Sequence, residues 1–145
     1  DIVTPEGQVI GKHNGLMFFT MGQRQGLGIG GVKDADESPW FVVEKDLKNN
    51  HLIAAQGHNH PLLLHSKLHA SQLHWISETP PPLPLRCEAR IRYRQHCQPC
   101  TLQSFANDHL EIKFEKPQRA ITPGQSVVIY QQDECLGGGI IEGHC

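Results

Sequence analysis

No apolar run in this 145-residue chain approaches the roughly 18 residues that a bilayer-spanning helix requires. The first residues, DIVTPEGQ, lack both a basic stretch and an apolar core, so no secretory signal is visible. A starting Met is also missing, and the chain reads as a fragment of something longer. Charged residues make up only 19% and the net charge is −2. That balance argues against a chain-wide electrostatic grip on nucleic acid, although a local basic patch is compatible with it. Five cysteines are an odd number for a disulfide framework, and without a signal they read as reduced thiols of a cytoplasmic protein. Helical periodicity is almost absent too. With 38% hydrophobic residues the chain is still rich enough in apolar side chains for a globular core.

What is present is a series of short β-rich runs separated by turn residues. Leu16–Met21 reads as a strand. Trp40–Glu44 and His51–Ala55 flank Lys48-Asn49-Asn50 as a hairpin, followed by a connector, Gly57-His-Asn-His-Pro61. Further strands are expected near Ala70–Ile76, Arg86–Tyr93, Cys100–Phe105, His109–Phe114, Ser126–Tyr130 and Gly138–Glu142. Thr79–Pro84 carries too many prolines to donate to a ladder and reads as a loop or extended edge. The fold class is all-β, in two parts. A small β-rich module covers residues 1–62, and a roughly six-stranded antiparallel β-barrel covers residues 67–145.

Three motifs invite a functional reading. Gly26-Leu-Gly-Ile-Gly-Gly31 matches the dinucleotide-binding pattern, which needs a helix after the glycines so that phosphate meets a helix N-terminus. The polar segment Val32–Trp40 offers no such helix, so glycines chosen for positive φ or close backbone approach are the better account. Cys97-Gln-Pro-Cys100, with Cys87 and His96 or His109, could be drawn as a zinc site, but a second close ligand pair is missing. Leu85–Gln95 is the most informative stretch. With a period of two, Leu85, Cys87, Ala89 and Ile91 share one face, and Arg86, Glu88, Arg90, Arg92 and Arg94 share the other. Such a face suits phosphate recognition by guanidinium groups, with Tyr93 available to stack on a base. It equally suits a solvated face paired with acids such as Glu111 or Glu115.

The blocks GKHNGLMFFTMGQRQGLGIGG, WFVVEKD, NNHLIAAQGHNHP, QLHW, RCEARIRYRQ and AITPGQSVVIYQQDECLGGGIIE, in that order from about Gly7 to Glu142, resemble the bacterial tRNA-specific 2-thiouridylase family (MnmA, also TrmU). The resemblance is to that family's C-terminal half. It implies a central module and a tRNA-contacting barrel, with adenylation and sulfur transfer performed by an N-terminal PP-loop domain that binds ATP with Mg. No catalytic residue, cofactor or metal is then expected in the present residues, and none of Cys87, Cys97, Cys100, Cys135 or Cys145 inherits a catalytic role. The family's RNA contacts carry over to Arg92 and Tyr93 of RYRQ and to Gln125 of PGQS. Arg94 and Arg24 are further candidates on charge alone. Implied partners are tRNA, the family's own N-terminal catalytic domain and a sulfur-relay protein, with no membrane. Two other readings stand beside it: a protein-interaction module docking the catalytic domain or the relay protein, and a zinc-stabilised β domain.

Overall fold

In a computed structural model the described residues are 1–32 and 37–144; residues 33–36, inside the polar segment after the glycines, and Cys145 lie outside them. The chain divides into two compact units, Asp1–Leu64 and His65–Cys145.

The first unit is a mixed four-stranded sheet in the order β2-β1-β4-β3. Its strands are β1 (Ile2–Val3), β2 (Val9–Gly11), β3 (Trp40–Asp46) and β4 (His51–Gln56). β1 runs parallel to β4, and the other two pairings are antiparallel. The β3–β4 hairpin falls where the sequence pattern expects it. Asp46 holds the turn together, accepting from the backbone N–H of Asn49 at 3.2 Å and from its amide at 2.7 Å. Ile2, Phe19, Leu27, Val42, Leu52 and Ala54 form this unit's core.

Leu16–Met21 is not a strand. Leu16–Phe18 form a single 3-10 turn, closed by Phe18 N to Gly15 O and Phe19 N to Leu16 O, both at 3.2 Å. Six consecutive apolar or near-apolar residues carry no alternation, so period alone could not separate strand from turn. The turn points Met17 and Phe18 outward and buries Phe19.

The glycine-rich loop lies along β3. Gly22 N donates to Val42 O at 2.7 Å, and Val42 N donates to Gln23 O at 2.9 Å. These bonds fall beside the irregularity between Val42 and Glu44, where the register of β3 against β4 shifts. Gly26 and Gly28 have φ of +79° and +65°, a conformation that costs any other residue a steric penalty. Between them Leu27 is turned into the core. Among the described residues no helix follows the loop, so the phosphate cradle that the glycine pattern formally suggests is not built.

The second unit is a closed antiparallel barrel in the order β10-β5-β8-β7-β6-β9. Its strands are β5 (Leu64–Trp75), β6 (Leu85–Arg90), β7 (Gln98–Ala106), β8 (His109–Arg119), β9 (Ser126–Gln131) and β10 (Glu134–His144). The all-β reading and the six-stranded barrel are both correct. Leu110, Ile112 and Phe114 on β8 all point inward, as their alternation requires, and meet Leu68, Leu102, Ile129 and Ile141. Full burial of each such side chain is worth about 1.5–3 kcal/mol. Asn107 and Asp108 join β7 to β8 with positive φ at both positions, the backbone of a primed two-residue turn. The Asp108 carboxylate then reaches β5, accepting from Gln72 N at 2.9 Å and Leu73 N at 3.0 Å. Thr79–Pro84 lies in the connection between β5 and β6.

Candidate nucleic-acid interface

Leu85, Cys87, Ala89 and Ile91 face the barrel core as expected, but the arginine face does not continue past Arg90. β6 is paired to β9 only as far as Arg90↔Val128, and to β7 only as far as Ala89↔Gln98. The Ile91 amide, which would continue the ladder, donates instead to the Gln95 side-chain Oε1 at 3.0 Å. A side chain that satisfies a backbone donor in this way competes with strand pairing, and residues 91–95 turn. The strand expected over Arg86–Tyr93 therefore ends three residues early, and the four guanidinium groups do not share one face.

Each arginine has its own environment. Arg86 is paired with Glu115 on β8, which is the solvated-face arrangement that the sequence left open. Arg90 donates to the Tyr130 hydroxyl at 2.9 Å, with its Cζ 5.4 Å from that ring's centroid. Arg92 turns back to the corner after β8, where its Nη2 donates to Arg119 O and, at 3.1 Å, to Ala120 O. Burial, and then the neighbouring positive Arg119, pull the Arg92 pKa below its ordinary value. It remains a cation at neutral pH, as guanidinium groups do in proteins. Arg94 lies in the turn, exposed, with no hydrogen bond or ion pair among the described residues.

The turn is braced from inside. Gln95 Nε2 donates to Gln118 Oε1 at 2.8 Å, and Gln118 Nε2 donates to Lys116 O at 3.0 Å. Gln118 is only 4% exposed. Across from the turn, Thr122-Pro-Gly-Gln125 folds tightly before β9. Gly124 N donates to Ile141 O, and Ile141 N donates to Gln125 O, both at 2.8 Å. Arg92 and Thr122 both donate to the Ala120 carbonyl, so the two segments share one anchor.

The result is a cleft of about 260 Å³ whose lining includes Arg92, Tyr93 and Gln125. Thirty-two residues lie between Arg92 and Gln125, and the barrel brings the two together. Tyr93 is 88% exposed, an unusual state for a large ring. Arg94 does not line the cleft. Arg24 belongs to the first unit, beside the recess of about 490 Å³ lined by the glycine loop.

Two domain families match this chain. One, described as "tRNA methyl transferase PRC-barrel domain", covers residues 1–56, and the other, "Aminomethyltransferase beta-barrel domain", covers residues 65–141. Over 141 residues, 97% of the chain, it is 57% identical to tRNA-specific 2-thiouridylase MnmA of Coxiella burnetii. Over the same span it is 53% identical to the MnmA of Serratia proteamaculans and 55% identical to that of Vibrio cholerae. The chain belongs to the MnmA family. It spans 38% of the length of each of these relatives and corresponds to the C-terminal region.

For the MnmA-family residues the structure adds what sequence could not supply. Arg90 and Ser126 line the cleft beside Arg92, Tyr93 and Gln125. Ser126 gave no signal of its own, except that it follows the PGQ turn. Among the described residues no three His, Cys, Asp or Glu side chains lie close enough to hold a metal ion. Cys87 and Cys100 do meet, as a cross-strand pair. No helix among the described residues is long and apolar enough to cross a membrane.

Proposed function

We propose that this chain is the tRNA-binding portion of an ATP-dependent tRNA 2-thiouridylase, and that the Arg92–Tyr93–Gln125 cleft grips the RNA. The observation that carries the reading is the convergence of those three side chains, from two distant segments, on one cleft beside a highly exposed ring. An Arg has five N–H donors. Both carbonyl contacts of Arg92 use Nη2, which leaves Nε and Nη1 to meet a phosphate. Tyr93 offers a face on which an unpaired base stacks, and the Gln125 amide both donates and accepts, as recognition of a base edge or a ribose hydroxyl requires.

The chemistry belongs elsewhere in this proposal. ATP with Mg, adenylation of the wobble uridine and sulfur transfer are assigned to an N-terminal PP-loop domain, which a sulfur-relay protein supplies. That assignment is supported by the glycine loop, which is tied to β3 and leads into no helix among the described residues. The 145-residue chain by itself is expected to bind tRNA weakly and to thiolate none.

The test is tRNA affinity of the full-length enzyme with Arg92→Ala and Tyr93→Ala. Loss of a base stack costs about 1–3 kcal/mol, so Tyr93→Ala should weaken binding by roughly 5- to 150-fold. Arg92→Ala should weaken it and reduce its dependence on salt. Unchanged affinity in both variants would overturn the assignment of RNA binding to this cleft. It would favour a role for the barrel in docking another protein.

A further inference from the structure

Cys87 on β6 and Cys100 on β7 sit directly opposite one another in the antiparallel ladder, with their sulfurs 3.8 Å apart. Both are free thiols. Opposed residues in such a ladder have Cα atoms about 4.5–5.5 Å apart, within the range of about 4.4–6.8 Å that disulfides span. The pairing therefore places the two backbones within disulfide span, and the sulfurs have to close from 3.8 Å to a bond of about 2.05 Å. Strand pairing already supplies the alignment that most accidental cysteine pairs lack. The two cysteines are also the stem of the hairpin whose turn carries Arg92, Tyr93 and Arg94.

We propose that Cys87 and Cys100 are a reversible oxidation site, which peroxide converts to a cross-strand disulfide clamping the stem of the β6–β7 hairpin. This chemistry does not depend on what the cleft binds. The two thiols differ in the way a sequential reaction requires. Cys87 is half-buried and open to a small oxidant, whereas Cys100 is fully buried beneath it. Hydrogen bonding from Cys100 lowers the Cys87 pKa, against the opposing effects of burial and Glu88, with further help from Leu102 N–H. That hydrogen bond, burial and the Cys87 charge hold the Cys100 thiol protonated.

In the first step the Cys87 thiolate attacks peroxide. An S–O bond forms, the O–O bond breaks, and hydroxide leaves to become water, giving a sulfenic acid. The charge that had held Cys100 in its thiol form is then gone. In the second step the Cys100 sulfur attacks the Cys87 sulfur. An S–S bond forms, the S–O bond breaks, and the hydroxyl leaves as water with the Cys100 proton. In total two thiols lose two electrons and two protons to one peroxide, yielding one disulfide and two waters. A dithiol reductant reverses it.

Cys97 is the natural competitor, since it lies in the same turn and acts electrostatically on Cys100. The experiment is therefore run on the chain carrying Cys97→Ser as well as on the wild type. After brief treatment with a modest excess of hydrogen peroxide and digestion with trypsin under non-reducing conditions, peptide 87–90 should be linked to peptide 95–113 in both proteins. The link should vanish with dithiothreitol and be absent from Cys87→Ser. The oxidised chain should also melt on the order of 5–10 °C higher, because the bond closes a short loop. Loss of the link in Cys97→Ser would overturn the proposal, as would over-oxidation of Cys87 without a link. A link that leaves the melting temperature unchanged or lower would overturn the clamp.

Discussion

Gln118 makes no contribution to the cleft surface, yet its replacement should weaken RNA binding. Its amide joins the 91–95 turn to β8 through Gln95 at 2.8 Å and returns to Lys116 O at 3.0 Å. Gln118→Met keeps approximate length and fills the same buried space, so the change isolates the two hydrogen bonds. Each is worth about 0.5–1.5 kcal/mol net, giving about 1–3 kcal/mol for the pair. For a domain of the barrel's size that corresponds to a melting temperature lower by on the order of 5–15 °C. The local signature is at Ile91, whose amide is protected by the Gln95 side chain. Freed from Gln118, Gln95 holds that amide less of the time, and its hydrogen exchange should accelerate more than that of β8 amides far from the turn. Because RNA would meet only the closed turn, affinity in the full-length enzyme should fall in proportion to the closed population, up to about tenfold. Gln118→Met with faster Ile91 exchange and unaltered tRNA affinity would refute the link between turn and binding. Unaltered exchange would refute the brace itself.

Three other perturbations test the frame. A Cβ on Gly138 would sit 2.6 Å from the carbonyl oxygen of Val127 on the adjacent strand, so Gly138→Ala must shift backbone. It should lower the denaturation midpoint of the barrel by an amount equivalent to about 1–3 kcal/mol; a neutral result would mean that β9 and β10 separate freely there. Asp108→Ala removes the acceptor for Gln72 N and Leu73 N, and should cost about 1–3 kcal/mol in urea unfolding, whereas a cost near zero would show that water replaces the carboxylate. Asp46 is held ionised, first by the Asn49 side chain and then by the Asn49 backbone N–H, so its pKa lies below the ordinary value of 3.8. With a depressed folded-state pKa, its contribution is present above the ordinary carboxylate pKa and is lost as pH falls through the lowered one. A carboxyl-carbon NMR titration should place Asp46 below ordinary aspartates, and Asn49→Ala should move it back up. A normal midpoint in the wild type would refute this account of the turn.

The barrel was legible because inward and outward residues alternate on β6 and β8, and turn residues separate the hairpins at Asn107-Asp108 and Gln132-Asp133. Strand ends were less so. β8 runs on through Pro117 to Arg119, past the expected end at Phe114. β5 begins at Leu64, well before the expected Ala70, and the tiny β1 and β2 gave no period to detect. Those lengths depend on which neighbour is present to pair, which is tertiary information. Leu16–Phe18 failed for a different reason: an unbroken apolar run fits strand and turn alike, and the i→i+3 bonds after Gly15 decide it.

The arginine stretch shows where pattern reading stops and geometry takes over. Alternation from Arg86 to Arg94 describes one basic face only if the strand persists. The Gln95 amide ends it by taking the Ile91 N–H, and the four cations then disperse into different tasks. Arg86 pairs with Glu115, Arg90 meets Tyr130, Arg92 anchors the Ala120 corner, and Arg94 stands exposed in the turn. On the proposed function, that dispersal would make recognition depend on shape more than on charge, in keeping with a chain of net charge −2. A uniform basic face would hold any phosphate backbone through counterion release. On the proposed function, Arg92 with its Nη2 already committed to two carbonyls, Arg90 engaged by Tyr130, an exposed ring and a single amide would select an RNA that brings a phosphate and an unstacked base together. Affinity of the full-length enzyme should therefore depend less steeply on salt than a four-arginine patch would impose. Most of the loss in Tyr93→Ala should persist at high salt, since stacking is not screened.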